Sequence, residues 1–523
     1  MSFPLFFVCF LLIFYASIYF IESCYLIVQS FLNNLPIQEI ALNVILLISE
    51  FIIITLGLYT LLHIPAALTP RDDFSKIPDL QEHPKVTILI PTRNPNIKAL
   101  KANFSKIKDI IYPNWDLMVV DNSNSNTLVA EIKALCEQYQ VKFLHREGTE
   151  GFKARNINIA LKQITSKYIL FMDIDQTLRP RSLHRFVSIL EYNKKIAFVQ
   201  AKYSVMNDSS VIRTLTGILY SFYYEILNLG KDLGKRALFN GTTACFRKEA
   251  LLKVGGFSEE SFTEDIDMSY KLIIAGYETR FINEVASTAL VPWSLRTLIS
   301  GFWRWAHGTS YVAFYRGKEI RKSSISLQAK IDLIISSYTW YAGFYFVIAV
   351  ILLLILSIFG YSLIRPSILI NISSFKIDIP IFIIFASTFG SSALIGSFLG
   401  ILSSKRYKWL PYLVIFGFAS ISLFFFLFSP LLMAIFRLNG PKAKNACWNR
   451  EINYWLHGLI FIPLGLLFLI IGIINLQTTD TMGLFFITVA LSLLGPFFFL
   501  FKESFTDFDY LEDKYFDNVL SKK

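Results

Sequence analysis

Long apolar runs at both ends of the chain are the feature that most constrains its fold. About seven runs are nearly free of charge and reach about 20 residues or more, the length that a helix needs to cross a bilayer. They lie at roughly 4–31, 40–63, 334–361, 380–402, 409–436, 454–476 and 482–502. We therefore predict two transmembrane helices within residues 1–63 and about five transmembrane segments within 331–502.

A more polar segment, residues 64–330, separates the two groups of runs, and a polar tail, 503–523, follows them. The hydrophobic content of 54% and the mean hydropathy of +0.49 reflect the flanking runs, because soluble domains are about 45–50% apolar. We expect an integral, multi-pass membrane protein with one soluble domain, which ends in interfacial helices. The N-terminus lacks a basic region and an Ala-x-Ala-like cleavage site, so we expect a retained anchor.

The net charge of +11 has two possible meanings. Lysine and arginine collect in cytosol-facing loops, where anionic lipid headgroups attract them. Because no basic run or nucleic-acid-binding motif stands out, we favour membrane lipids as the partner and exclude nucleic acid. The five scattered cysteines have no CxxC spacing, which predicts neither a disulfide framework nor a zinc site. We expect the soluble domain to lie in the reducing cytosol.

Charges within and beside the apolar runs leave the topology open. Glu22 and Glu50 lie inside predicted spans, and since a buried acid is costly, each should face another helix or an interface. Basic residues flank the run 409–436 on both sides, at 405–408 and at 437–450. The positive-inside rule cannot place both groups in the cytosol if this run crosses once. Either one run here is re-entrant or interfacial, or the rule fails.

Within residues 64–330, short β-branched and apolar runs alternate with helix-length polar segments. The clearest runs are Val86–Ile90, Asp116–Val120 and Tyr168–Met172. This alternation predicts an α/β domain with a mostly parallel sheet and crossover helices. Ligands bind beyond the carboxyl ends of the strands in such sheets. Polar residues recur at those ends, in the segments Pro91 to Asn94, Asp121 to Ser123 and Asp173 to Asp175.

Asp173 and Asp175 are two carboxylates spaced i and i+2, directly after a predicted buried strand. Both can reach one hard divalent ion, Mg²⁺ or Mn²⁺, which takes its other oxygen ligands from substrate phosphates. Such an ion would neutralise the charge that builds on a departing diphosphate. The alternative is a pair of solvated turn acids, because an Asp-x-Asp sequence is common by chance.

Two further positions suit a nucleotide. Asp121 ends a predicted strand, where its carboxylate can accept hydrogen bonds from a base or a ribose, or only cap the strand as an Asx turn. Lys153 follows Gly151 at the start of a predicted helix. A helix N-terminus that carries a lysine suits a phosphate, and a solvated helix start is the alternative.

Glu264 and Asp265 open a predicted helix for which Thr263 can serve as the N-cap. Asp265 is a candidate general base that takes the proton from an acceptor hydroxyl. Direct displacement at a sugar carbon would then invert its configuration. The alternative is that the two acids only compensate the helix dipole.

Arg304 and Trp305 lie in an aromatic stretch that leads back to the membrane. Arg304 can bind a diphosphate through two parallel hydrogen bonds, and Trp305 offers an apolar platform for a sugar acceptor. The alternative is an interfacial aromatic belt with a snorkelling arginine. We expect His307 to make a local hydrogen bond rather than to bind a metal.

The order and spacing of these clusters resemble family 2 glycosyltransferases of the processive polysaccharide synthase and ceramide glucosyltransferase type. The resemblance covers about residues 84–312. The matching blocks are Val86 to Pro91, Val119 to Asp121, Lys153 to Asn158, Phe171 to Asp175, Phe246 to Leu251, Val254 to Phe257, Thr263 to Asp265 and Arg304 to Ala306. The resemblance implies a GT-A fold and an inverting, metal-dependent transfer from a nucleotide sugar, of which a uridine-diphosphate sugar is the expected form.

The resemblance also implies roles for individual residues. Asp265 would be the catalytic base. Glu264 and Trp305 would bind the acceptor, and Asp173 and Asp175 would hold Mg²⁺ or Mn²⁺. The residues that would bind the donor are Pro91, Asp121, Lys153, Asp173, Asp175 and Arg304.

Two departures from the family pattern concern the acceptor and the nucleoside. The motif that ends in Arg304-Trp305 begins with Gln or Arg in the family and with Gly301 here, which removes a polar contact near the acceptor. Asn94 is followed by Pro95 where the family often has an acid.

We therefore expect a membrane-embedded inverting hexosyltransferase that acts at the cytosolic face. The acceptor is either a growing polysaccharide that passes through the spans or a lipid at the bilayer surface. The five later spans favour the polysaccharide, and Gly301 favours the lipid. Two readings from other classes are a transporter that binds a nucleotide sugar and a non-catalytic scaffold. The later spans carry few charges and the required acids are all present, which disfavours both.

Overall fold

The computed structural model describes residues 2–70, 72, 74–148, 150–205, 210–292, 294–372, 375–435, 454–477, 482–503 and 516. In this part of the chain, two groups of apolar helices flank an α/β domain that is built on an eight-stranded sheet. The predicted architecture, a polytopic helical membrane protein with an inserted α/β domain, is therefore confirmed.

The strands follow the apolar runs of the sequence, and eight of them belong to the domain. They are β1 (Val86–Thr92), β2 (Trp115–Asp121), β3 (Lys142–His145), β4 (Tyr168–Phe171), β5 (Gln176–Leu178), β6 (Ile196–Val205), β7 (Ala244–Arg247) and β8 (Glu278–Ala289). A separate antiparallel hairpin consists of β9 (Ser367–Ile372) and β10 (Phe375–Pro380).

The helices divide into domain helices and apolar helices at the two ends of the chain. They are α1 (Ser2–Leu32), α2 (Ile37–Leu68), α3 (Ile97–Ile107), α4 (Asn126–Gln138), α5 (Phe152–Gln163), α6 (Ser182–Tyr192), α7 (Val211–Phe222), α8 (Leu229–Leu233), α9 (Lys248–Lys253), α10 (Glu264–Ile274), α11 (Leu295–Lys322), α12 (Leu327–Tyr338), α13 (Tyr341–Phe359), α14 (Ile381–Ser403), α15 (Leu413–Ile435), α16 (Tyr454–Gln477) and α17 (Met482–Glu503). A π-helical turn, Tyr223–Asn228, joins α7 to α8, and short 3₁₀ helices lie at Phe74–Lys76 and Tyr407–Tyr412.

The first half of the sheet is parallel, as predicted. Strand β1 pairs in parallel with β2 and β4, and β2 pairs in parallel with β3. Ile88 and Ile90 of β1 are buried in the apolar layer on one face of the sheet, and Leu89 between them is buried in the layer on the other face. Because both faces are covered, the strand reads as a continuous apolar run rather than an alternating one.

The second half of the sheet is mixed, which corrects the prediction of a mostly parallel sheet. The full strand order is β3-β2-β1-β4-β7-β6-β8-β5, and β7 is antiparallel to both of its neighbours. The connection from β6 to β7 runs through α7 and α8 and returns to the sheet edge from which it left, so the two strands run in opposite directions. As a result, the loop before β7 lies at the carboxyl end of β4.

Four helical stretches among the described residues are long and apolar enough to cross a membrane. They are Phe10–Leu32, Ile37–Leu68, Tyr341–Phe359 and Tyr407–Ile435. Three shorter apolar stretches are Ser392–Ser403, Ile460–Leu476 and Met482–Gly495. The helices coincide with the predicted runs, while the number of crossings stays a prediction. The basic residues at 437–450 lie outside the described residues.

Glu50 of α2 is fully buried and faces other parts of the protein, as expected for an acid within a predicted span. Its Oε2 accepts hydrogen bonds from Arg365 Nε at 2.9 Å and from the Tyr19 hydroxyl at 2.7 Å. Arg365 follows α13, so this pair joins that segment to α2. Glu22, in contrast, is exposed on α1.

Contacts also join the domain to more distant parts of the chain. Asp332 of α12 accepts hydrogen bonds from Lys231 Nζ at 3.0 Å, from Arg236 Nε at 3.1 Å and from the hydroxyl of Tyr59 in α2 at 2.6 Å. Phe516, in the predicted polar tail, is buried against α3. The domain therefore contacts both the N-terminal helices and the C-terminal tail.

Candidate functional site

The predicted site residues of the sheet lie at one edge, because the parallel strands end there. Asp121 closes β2 and pairs in register with Thr92, the last residue of β1. Pro91, half-buried, precedes it on β1. Phe171 closes β4 and pairs with Ala244 at the start of β7. The structure thus brings the loops after β1, β2 and β4 together with the loop before β7.

Lys153 connects the acidic motif to the rest of the site. Its Nζ donates to Asp173 Oδ1 at 2.7 Å and to the carbonyl oxygen of Gly241 at 3.0 Å. The side chains of Lys153 and Asp173 are 28% and 37% exposed, so both remain accessible to a ligand. Burial alone would lower the pKa of Lys153, but Asp173, Glu264 and Asp265 together raise it above its usual value. Lys153 is therefore a stable cation among three acids.

The loop before β7 completes this part of the site. Gly241 has φ = +82°, and a Cβ at this position would lie 3.2 Å from Asp265 Oδ2. Thr242 Oγ1 accepts a hydrogen bond from the amide of Asp173 at 3.0 Å and donates to Gln176 Oε1 at 2.8 Å. No role was predicted for Gly241 or Thr242 from the sequence, although Asn240-Gly241 is a recognised turn signal. The loop brings the acidic motif and the start of α10 together.

Asp265, the predicted base, is the second residue of α10. Burial raises its pKa, and the adjacent negative charge of Glu264 raises it further. The amide of Ile266, which donates to Asp265 Oδ1 at 2.8 Å, and the nearby ammonium of Lys153 oppose this shift. The resulting pKa is about 7, which is the range in which a carboxyl group serves as a general base near neutral pH.

Thr263 precedes α10 but does not cap it through its side chain, which corrects the predicted N-cap. Its Oγ1 is buried and makes no hydrogen bond with the described residues. The side chain lies against Gly308 of α11, where a Cβ would come within 2.9 Å of that oxygen. Thr263 therefore acts in the packing of α10 against α11.

Arg304 of α11 and Asp175 both lie within electrostatic reach of the Tyr220 hydroxyl. Burial raises the pKa of Tyr220, Asp175 raises it further, and Arg304 lowers it. Arg304 and the acidic motif are far apart in the sequence. In the structure both act on the Tyr220 hydroxyl. Tyr220 was missed by the sequence analysis, because nothing in the local sequence of α7 marks it.

Trp305 is half-buried and packs edge-on against Phe302, with 5.4 Å between ring centroids. A Cβ at Gly301 would lie 3.7 Å from the indole, so the departure from the family motif leaves ordinary space beside this ring. His307 is buried, and its ring stacks on Trp303 at 5.3 Å. This position fits a packing role for His307.

Asp121 is placed as predicted but is completely buried. Its Oδ1 accepts from the hydroxyls of Thr92 at 3.0 Å and Ser123 at 2.7 Å. Its Oδ2 accepts from the amide of Ser123 and from His145 Nδ1, each at 3.0 Å. The carboxylate therefore organises the loops after β1, β2 and β3.

Asp173 and Asp175 fit a divalent ion only if a ligand supplies further oxygens. Among the described residues, no group of three or more Asp, Glu, His or Cys side chains could hold a metal. Two partly exposed carboxylates that share an ion with substrate phosphates are the arrangement in which proteins usually bind Mg²⁺. The acid pair thus fits an ion that arrives with a diphosphate.

Comparisons with known proteins agree with this geometry. The sequence profile described as "Glycosyl transferase family group 2" matches residues 168–500. A cellulose synthase catalytic subunit [UDP-forming] from Pseudomonas fluorescens is 26% identical over 44% of this chain and 32% of its own length. A poly-beta-1,6-N-acetyl-D-glucosamine synthase from Staphylococcus epidermidis is 24% identical over 46% of this chain and 59% of its own length.

A third relative, glucomannan 4-beta-mannosyltransferase 7 from Arabidopsis thaliana, is 25% identical over 47% of this chain and 47% of its own length. This chain thus aligns with between 32% and 59% of the length of these relatives.

The fold is also similar to that of a solved structure. It is the mannosyltransferase PcManGT from Pyrobaculum calidifontis, in complex with GDP-Man and Mn²⁺. The similarity covers 76% of this chain and 99% of that chain, with a TM-score of 0.50 and 17% sequence identity. At this identity the likeness concerns the fold, and it confirms the predicted GT-A type of the α/β domain.

Proposed function

Since this chain belongs to the glycosyl transferase family group 2, we propose that it is a membrane-embedded inverting glycosyltransferase. It transfers a hexose from a nucleotide-diphosphate sugar, with UDP as the nucleotide, to a growing polysaccharide. The observation that supports this most is the group formed by Asp173, Lys153 and Asp265. The ammonium of Lys153 lies 2.7 Å from Asp173, and the loop that it contacts also adjoins Asp265. A diphosphate site therefore lies beside a carboxyl group with the pKa of a base.

The proposed reaction is a single displacement. Asp265 takes the proton of the acceptor hydroxyl while the hydroxyl oxygen forms a bond to the anomeric carbon. The bond from that carbon to the diphosphate oxygen breaks, and the nucleoside diphosphate leaves with the electron pair. Attack from the face opposite the diphosphate inverts the configuration.

The remaining residues have roles at the two ends of this reaction. Lys153 and Arg304 bind the diphosphate, and Asp173 and Asp175 would hold Mg²⁺ or Mn²⁺, which would neutralise charge on the leaving group. At the nucleoside end, Pro91 and Asp121 shape the pocket. On the acceptor side, Glu264 and Trp305 contact the sugar.

The position of α11 supports an acceptor that comes from the membrane. Leu298 and Phe302, on the helix that carries Trp305, pack against Leu427 and Leu431 of α15. The acceptor platform is therefore continuous with an apolar helix long enough to span the bilayer. We propose that the polymer passes through the spans and that the domain faces the cytosol. A lipid acceptor is the second candidate, favoured by Gly301.

Donor-dependent release of nucleoside diphosphate tests this function. The protein, purified in detergent, is incubated with Mg²⁺ or Mn²⁺, membrane lipid and a panel of nucleotide sugars. We expect release with one donor, loss of that release in Asp265→Asn, and retention in Asp109→Asn, which changes an exposed acid after α3. Sizing the product then separates a polymer from a glycolipid. Absence of release with every donor would contradict the proposal and favour a scaffold or a transporter.

A further inference from the structure

The carboxylate assigned to the nucleoside is not itself accessible. Asp121 has 0% exposure, and its oxygens accept four hydrogen bonds, from Thr92, twice from Ser123, and from His145. A base could reach this carboxylate only by displacing one of these donors. Recognition at this end of the site therefore needs a group that Asp121 holds and that is itself exposed.

His145 is that group. It is the last residue of β3, it pairs in register with Asp121, and its side chain is 25% exposed. Its Nδ1 lies 3.0 Å from Asp121 Oδ2. The ring also stacks near Phe143, with 6.4 Å between centroids and 17° between planes. Its Nε2 makes no hydrogen bond with any described residue.

Asp121 decides which nitrogen of His145 carries the hydrogen. A carboxylate only accepts hydrogen bonds, so Nδ1 must be the donor in this pair. In the neutral imidazole Nε2 is then an acceptor with an open lone pair. The other three donors on Asp121 hold the carboxylate still, which orients the imidazole as well.

The distance across the sheet suits a nucleotide. His145 ends β3, and the acidic motif follows β4, which lies three strands away in the order β3-β2-β1-β4. At about 4.8 Å between neighbouring strands, this separation is about 14 Å. An extended nucleoside diphosphate with its phosphates at Asp173 and Asp175 brings its base into this region.

We propose that His145 reads the base of the donor nucleotide by accepting a hydrogen bond from a ring N–H. Uracil and guanine carry such a group, while cytosine and adenine present a lone pair at the same edge. With cytosine or adenine, the lone pair of the base would face the lone pair of His145 Nε2, and neither nitrogen would have a hydrogen-bond donor. A polar site rejects an analogue in this way. The inference rests on the proposed function and narrows its donor class. It makes Asp121 a positioning residue that acts through His145.

Nucleotide binding to the full-length protein tests this inference. Calorimetry with UDP, GDP, CDP and ADP in the presence of Mg²⁺ should show that UDP or GDP binds about tenfold or more tightly than CDP and ADP. In His145→Phe, the favoured nucleotide should weaken by about tenfold while CDP and ADP change little. His184→Phe on α6 is the matched control and should leave all four affinities unchanged.

Asp121→Asn separates recognition from mere structural support. Asp121 Oδ2 accepts from both the Ser123 amide and His145 Nδ1, and since a backbone amide can only donate, the carbonyl oxygen of the new Asn takes this position while its NH2 group faces the hydroxyls of Thr92 and Ser123. Nδ1 therefore keeps its hydrogen, and Nε2 stays an acceptor. The preference for UDP or GDP over CDP and ADP should therefore survive in Asp121→Asn and be lost in His145→Phe, a contrast that simple destabilisation of the loop does not produce. Equal binding of all four nucleotides by the wild type, an unchanged preference in His145→Phe, or a lost preference in Asp121→Asn would overturn the inference alone. Failure of the wild type to bind any of the four would overturn the proposed function together with it.

Discussion

Asp265 shows how neighbouring residues can outweigh the local electrostatics of a helix end. The start of a helix favours a carboxylate, and the amide of Ile266 and the ammonium of Lys153 act in the same direction. Burial and the adjacent charge of Glu264 nevertheless raise the pKa of Asp265 to about 7. A carboxyl with its ordinary pKa would be ionised at neutral pH but would be a much weaker base.

The raised pKa of Asp265 predicts a pH dependence of the rate. Below about pH 7 the carboxyl is protonated and cannot accept the proton of the acceptor, so kcat should rise from pH 6 to pH 8 with a midpoint near 7. Glu264→Gln removes the neighbouring negative charge, which lowers the pKa of Asp265 and should move the midpoint to lower pH. The rate of nucleoside diphosphate release at saturating donor, measured across this pH range, gives the midpoint for the wild type and for the variant. A flat profile in the wild type, or an unmoved midpoint in the variant, would contradict this origin of the base.

Between elements, a buried ion pair joins the helix that carries the base to the helix that carries Trp305. Arg316 of α11 donates two hydrogen bonds to Asp267 of α10. One runs from Nε to Oδ1 at 2.8 Å, and the other runs from Nη2 to Oδ2 at 3.1 Å. The side chain of Asp267 is 1% exposed and that of Arg316 is 10% exposed. Since Asp267 follows Asp265 by two residues, this pair holds the base and the acceptor platform in register.

Breaking this pair from one side should destabilise the protein. Arg316→Met leaves the Asp267 carboxylate buried without its cation, which should lower the free energy of unfolding by about 3–5 kcal/mol. We expect a lower Tm in detergent and a loss of nucleoside diphosphate release at temperatures where the wild type is active. Glu319→Gln is the matched control, because Glu319 also binds Arg316 but its side chain is 49% exposed. An ion pair at the surface contributes only about 0–1 kcal/mol to the free energy of unfolding. An equal Tm of Arg316→Met and Glu319→Gln would contradict a stabilising role for the buried pair of Arg316 and Asp267.

Over the whole molecule, the α/β domain and the membrane helices are joined by the cluster around Asp332. Burial alone would raise the pKa of Asp332, but Lys231, Arg236 and the hydroxyl of Tyr59 hold it well below its usual range. The acid is therefore ionised at any physiological pH. The two cations come from the domain and the hydroxyl from α2, so one carboxylate holds both parts.

Asp332→Asn should weaken this junction. The substitution leaves the buried ammonium of Lys231 without its counter-charge, for which the expected cost is about 3–5 kcal/mol. Limited proteolysis and thermal melting in detergent would detect it as a lower Tm and faster cleavage between α2 and the domain. Lys235→Met, which removes an exposed lysine paired to Glu278, should melt like the wild type. A normal Tm in Asp332→Asn would show that other contacts hold the junction.

The apolar helices and three strands of this protein could be predicted from local sequence because each depends on its own residues. The apolar runs form helices, and β1, β2 and β4 lie at the three runs predicted as strands. These runs bury both faces of the sheet, and that burial pattern is visible in the sequence. The acids at the strand ends were found for the same reason, because parallel strands bring their carboxyl ends to one edge.

Other features required the tertiary structure, because they depend on residues distant in sequence. The antiparallel course of β7 brings Gly241 to Asp265 and to Lys153, and no local pattern shows which way a strand enters a sheet. The burial that raises the pKa of Asp265 comes from this packing. Likewise, the sequence placed Asp121 at a strand end, but only the structure decided that its carboxylate is covered by His145. Residue type and spacing thus determined which groups are available, and packing decided their neighbours, exposure and charge.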